Sequence, residues 1–154
     1  MKPIRLIVSS CLLGEAVRYD GKSKPHAAVL VLQERHQLIP VCGEVFGGLP
    51  TPRIPAERVG DGVYTRDGRD VTAEYVRGAE EVLALAKRMD CRVALLKERS
   101  PSCGSGEIYD GTFSGTLIPG YGVTADLLQR CGIAVFGESR LADLEAYLAR
   151  EETL

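Results

Sequence analysis

Five cysteines are scattered along the chain, at positions 11, 42, 91, 103 and 131. An odd count with no Cys-x-x-Cys pair does not read as a disulfide framework. In a reducing compartment such thiols are small buried hydrophobes, metal ligands or nucleophiles. As a donor, thiolate is soft and suits zinc or iron–sulfur chemistry. Only two histidines are present, His26 and His36, and they open and close one predicted helix. Neither stands in an obvious place to activate a thiol, so a lone nucleophilic Cys103 ranks low. A structural zinc wants four ligands, and three thiolates would leave a corner vacant.

Which cysteines can meet depends on the elements that carry them. Residues 4–9 form a short apolar run that predicts a strand, and residues 38–42 predict a second. A helix is expected over 26–36. Residues 63–71 read as a hairpin turning at Asp67-Gly68. Thr72 is expected to cap the best helix, in which Val76, Ala79, Val82, Leu83, Ala86 and Met89 recur at the helical period. Residues 92–97 give a third strand, 123–130 a helix, 133–136 a fourth strand and 139–150 a closing helix. Two long Gly/Pro-rich stretches, 43–62 and 98–122, read as loops, and such loops in a domain are usually functional.

Apolar strands alternating with amphipathic helices predict an α/β, Rossmann-like three-layer fold. Its short, mostly parallel sheet should run in the order 2-1-3-4. The whole chain, 1–154, is expected to form one domain. Ligands of such sheets bind beyond the carboxyl ends of the strands. Cys11 follows the first strand, Cys42 ends the second and Cys103 lies in the loop after the third. Those three share an edge and can converge. Cys91 and Cys131 precede strands, belong at the opposite end and read as structural. The spacing alone leaves zinc, a [4Fe–4S] cluster and plain buried thiols all open.

Composition sets further bounds. With 45% hydrophobic residues the chain should be globular. Nineteen basic against 21 acidic residues, a net charge of −2, argue against broad nucleic-acid binding but leave room for a local RNA contact. Arg18, Lys22, Lys24, Arg53, Lys97 and Arg99 lie in or near the loops at the expected site, where they can bind a substrate phosphate or an RNA end, or simply form a solvated rim. No apolar run is long enough for a membrane span or a signal peptide, so the expectation is a cytoplasmic monomer or homodimer.

The runs around the three cysteines carry a resemblance. They are Ser9-Ser10-Cys11-Leu12-Leu13-Gly14, Arg18-Tyr19-Asp20-Gly21-Lys22, Val41-Cys42-Gly43-Glu44-Val45-Phe46-Gly47-Gly48-Leu49-Pro50-Thr51-Pro52-Arg53 and Lys97-Glu98-Arg99-Ser100-Pro101-Ser102-Cys103-Gly104-Ser105-Gly106. Together with Ile108-Tyr109-Asp110-Gly111-Thr112-Phe113-Ser114-Gly115, they resemble the thiouracil desulfidase family to about residue 140. The resemblance implies a [4Fe–4S] cluster held by Cys11, Cys42 and Cys103, its fourth iron without a protein ligand. It implies Glu44 as acid/base, with Ser100 and Ser102 orienting substrate or water. Arg18, Lys22, Gly104 and Ser105 are the expected substrate contacts. The implied activity is non-redox: C=S of a thiolated pyrimidine base, nucleoside, nucleotide or tRNA becomes C=O, and hydrosulfide leaves. A sulfide- or metal-binding sulfur-trafficking module is the alternative. Two positions depart from many relatives: Val17 replaces a further cysteine, and Gly43 replaces a proline. The first favours a site of three cysteines.

Overall fold

The computed structural model describes residues 3–152. In chain order its elements are β1 (Arg5–Ser9), α1 (Ala27–Val31), β2 (Gln37–Val41), α2 (Gly43–Phe46), β3 (Ala56–Val59), β4 (Gly62–Thr65), α3 (Thr72–Arg88), β5 (Val93–Leu96), β6 (Ser105–Tyr109), β7 (Leu117–Tyr121), α4 (Val123–Arg130), β8 (Ala134–Gly137) and α5 (Leu141–Glu152).

Strands β2, β1, β5 and β8 form a parallel sheet in that order, which is the expected 2-1-3-4. The central strands are apolar without alternation because both faces are covered. Leu6, Ile7 and Val8 of β1 and all four residues of β5 are buried. One face packs Ile7, Val41, Ala94 and Leu96 against Val82 and Ala86 of α3 and Ala125 and Leu128 of α4. The other packs Leu6, Val8, Val93 and Leu95 against Leu12, Val29, Leu144 and Leu148. These two clusters make the three layers. Among the described residues no helix is long and apolar enough to cross a membrane.

Several local expectations change. The stretch 98–122 is no plain loop but contains the antiparallel hairpin β6–β7. Gly106, Pro119 and Gly120 inside its strands hid it, because such residues weaken strand propensity. The turn at Asp67-Gly68 exists, joined by a single Tyr64–Asp70 bridge, but β4 pairs chiefly with β3 upstream. The helix expected over 26–36 is the short α1, continued by a 3-10 turn. His36 follows it and accepts the N–H of Ile4 through Nδ1 at 3.1 Å. Thr72 does not cap α3. Its hydroxyl accepts the N–H of Val63, and Asp70 Oδ1 accepts the N–H of Thr72. Cys91 and Cys131 lie in the turns entering β5 and β8, away from the carboxyl edge; Cys91 is buried, and Cys131 is exposed, not buried as expected.

One contact fixes the turn after β2. Helix α2 crosses α3 so closely that a Cβ on Gly78 would overlap the carbonyl oxygen of Gly43, and one on Gly47 would overlap the carbonyl of Glu74. Gly78→Ala should therefore destabilise, although alanine normally favours a helix interior by about 1 kcal/mol. Overpacking of about 1–3 kcal/mol should lower the melting temperature by roughly 3–10 °C, read by calorimetry. An unchanged or higher melting temperature would refute the backbone contact.

Candidate active site at the carboxyl edge of the sheet

Beyond the carboxyl ends of β1, β2 and β5 lies a cavity of about 440 Å³. Cys11, Cys42 and Cys103 all line it, and all are free thiols. Cys11 sits in a 3-10 turn that follows β1 and ends at Gly14 in the left-handed region. Cys42 directly precedes α2, so the Gly43–Gly78 approach sets its place. Cys103 lies in the turn between β5 and β6. The Ser100 hydroxyl oxygen pins that turn by accepting the N–H of Ser102 and of Cys103, each at 3.1 Å.

Burial pushes all three thiols up. Cys11 rises to about 11, with Lys97 opposing and Cys42 adding to the rise. Cys103 rises to about 12, with the Ser9 side chain opposing and Cys42 and Cys11 adding. Cys42 rises for the same reason, desolvation. Cys11 and Cys103 ionise less readily beside the other thiols, and a cationic centre would favour all three as thiolates.

The donor set fits such a centre. Three soft ligands face one cavity, and the buried hydroxyl of Ser10 beside Cys11 has no partner. Among the described residues no three His, Cys, Asp or Glu side chains are placed to grip one metal ion. A [4Fe–4S] cluster takes one thiolate per iron, so it does not require the three sulfurs to meet at a single point.

Glu44 is buried at the cavity wall and fixed by Arg53. Arg53 Nε and Nη2 both reach its Oε2 at 2.5 Å. The remaining Arg53 bonds go to the carbonyls of Val17 and Pro50 and to the Thr51 hydroxyl. The Tyr75 phenol, brought by α3, faces Glu44, and burial, with the Glu44 charge adding, holds it well above its ordinary range. One guanidinium thus ties the acid to both flanking loops.

The other expected residues divide. Ser100 lines the cavity; with two N–H groups already on its oxygen, what its hydroxyl has left to offer is its own proton. Ser102 also lines it but is 1% exposed, and its hydroxyl pairs with that of Thr124 at 2.8 Å, so it buttresses the turn. Arg18, Lys97 and Arg99 line the cavity. Lys97 is spent on Glu138 and on the carbonyl of Glu98, whereas Arg18 and Arg99 pair with no carboxylate among the described residues.

Three expected substrate contacts lie outside the cavity lining. Lys22 is exposed in the turn closed by Asp20. Gly104 gives its N–H to the Ser100 carbonyl, and its own carbonyl accepts from Gly122. Ser105 is already in the β6–β7 ladder. The N–H and carbonyl of Gly104 are consumed by the turn and the hairpin. Lys24 is likewise absent from the lining. Sequence reasoning missed Tyr75, Glu57, Arg66 and Phe113, which all line the cavity. Phe113 could have been flagged as a large apolar residue in an otherwise polar, Gly-rich run. Nothing in the sequence marks Glu57 or Tyr75.

The family model for 2-thiouracil desulfurase matches residues 6–140. An uncharacterised Bacillus subtilis protein, YbbK, is 42% identical over 149 residues, 90% of this chain and 99% of its own. The solved structure of the [4Fe-4S]-dependent thiouracil desulfidase TudS superposes with a TM-score of 0.88 at 51% identity, covering 95% of this chain and 98% of that one. The chain belongs to the 2-thiouracil desulfurase family.

Proposed function

We propose that this chain is a [4Fe–4S]-dependent desulfidase that converts the C=S of a thiolated pyrimidine into C=O and releases hydrosulfide. The observation that carries the reading is the convergence of Cys11, Cys42 and Cys103 on one cavity beside a clamped Glu44. Membership in a family described as thiouracil desulfurases, and likeness to a desulfidase described as [4Fe-4S]-dependent, support it.

Cys11, Cys42 and Cys103 would hold the cluster. When bound, it supplies an open, thiophilic iron that withdraws electron density from the thiocarbonyl carbon. The chain's own residues supply the rest. Glu44, held by Arg53, takes a proton from the attacking water and returns it as the C–S bond breaks. Ser100 donates its hydroxyl hydrogen to the substrate or the water. Water adds to the carbon, sulfur leaves as hydrosulfide, and no net electron transfer occurs. The buried Arg53–Glu44 pair holds the carboxylate oxygen in one place, which suits a group that must meet water at one point.

Reconstitution with iron and sulfide without oxygen should give brown protein that turns thiouracil into uracil and releases hydrosulfide over many turnovers. Protein that stays colourless would overturn the cluster, and release of only one equivalent would favour sulfur trafficking. Replacing any one of the three cysteines by alanine should abolish both colour and turnover, whereas Cys131→Ala should change neither. Full activity in Cys42→Ala would remove the ligand assignment.

Glu44→Gln should retain the cluster spectrum and lose about 10²–10⁴-fold in kcat. Arg53→Lys, which keeps the charge but loses the fork, should lower kcat while leaving the cluster spectrum in place. Wild-type rates in Glu44→Gln would exclude it as acid/base.

The finer substrate assignment is an anionic nucleotide, because Arg18 and Arg99 line the cavity and pair with no carboxylate among the described residues. Arg18→Ala should raise KM for a thiouridine monophosphate about tenfold, as expected for loss of one charge-assisted contact, and leave KM for free thiouracil unchanged. Equal effects on both would argue against a phosphate contact.

A further inference from the structure

The roof of the cavity is built from two hairpins outside the main sheet. The β6–β7 hairpin ends in the tip 110–116, which carries Phe113 in the left-handed region at φ 56°. A bulky side chain is rarely found there, and such strain persists only where its surroundings hold it. Here the holder is Glu57 of β3. Its carboxylate is 9% exposed, and Oε1 accepts the N–H of Gly111 at 2.9 Å and of Phe113 at 3.1 Å. Gly111, at φ 98°, lies against Val59, and a Cβ there would overlap that side chain. Arg66, just past β4, lays its guanidinium over the Phe113 ring, 5.5 Å from the centroid. Phe113, Arg66 and Glu57 all line the cavity that holds the three cysteines.

A buried carboxylate thus fixes a strained backbone whose result is one flat ring at the cavity wall. The core has no use for this ring, since Phe113 belongs to none of the buried clusters. The geometry points to Phe113 as the platform that takes a planar heterocycle on the ring face opposite Arg66, with Glu57 as the residue that positions it. Aromatic faces hold bases by stacking whatever their edge substituents, so the platform selects flatness and ring size and leaves the choice of sulfur to the thiol side of the cavity. The inference rests on the cavity being a thiopyrimidine site and adds the residue that orients the ring.

The test uses the full reconstituted chain with two readouts: steady-state desulfuration of thiouracil, and equilibrium binding of uracil, which carries the ring without the sulfur. Phe113→Leu should raise KM for thiouracil and Kd for uracil about tenfold, leave kcat within about twofold and leave the cluster spectrum unchanged. Phe113→Tyr should restore wild-type values. Glu57→Gln should weaken uracil binding in the same direction. Phe113→Met, equally apolar but not flat, serves if the leucine variant does not fold. An active enzyme whose KM and uracil affinity ignore Phe113→Leu overturns the platform and leaves the desulfidase reading intact. A wild-type protein that releases no hydrosulfide but binds uracil through Phe113 does the reverse. Wild-type protein that binds no uracil also overturns the platform.

Discussion

Burial sets the terms for the whole cavity. Three thiols removed from water hold on to their protons, and each would resist ionising further beside its neighbours. They become a donor set only together, around something positive enough to displace three protons. Much of the surrounding structure serves that condition. The parallel sheet brings three separate strand ends to one edge, the Gly43–Gly78 approach sets the Cys42 turn, and the Ser100 and Ser102 hydroxyls brace the Cys103 turn.

The acid opposite them is managed in another way. Leaving a carboxylate buried and alone would be costly, and the Arg53 fork offsets that burial with two short contacts to one oxygen. The same guanidinium accepts the cost of its own burial by bonding three further oxygens from the loops on either side. Stability and positioning are therefore one network here, and Arg53 anchors the segment between α2 and β3.

The sheet was legible because its central strands are apolar on both faces, so that the run at Leu6–Val8 and the run at Val93–Leu96 could be nothing else in an alternating pattern. The grouping of Cys11, Cys42 and Cys103 followed from strand ends alone, and all three line one cavity. The roof was not legible. Gly106, Pro119 and Gly120 disguise a hairpin that tertiary contacts hold, and Glu57 is an ordinary acid until its two N–H partners arrive from the tip of another element. Lys22, Gly104 and Ser105 looked available because they neighbour the right residues in the chain. Lys22 is held out in its own turn, Gly104 is bonded within the Cys103 turn and Ser105 belongs to β6, none of which a linear reading reveals.

The three cysteines hang from successive crossings of the sheet, and the last of them follows β5. A growing chain accordingly carries two candidate thiols that have nothing to close around until that strand has been made and has docked beside β1. Any inorganic centre bound by all three must be inserted after this late step of synthesis, into a cup already shaped by the backbone. In the proposed reading, maturation is then a handover of the cluster to a chain whose three strand ends have already docked.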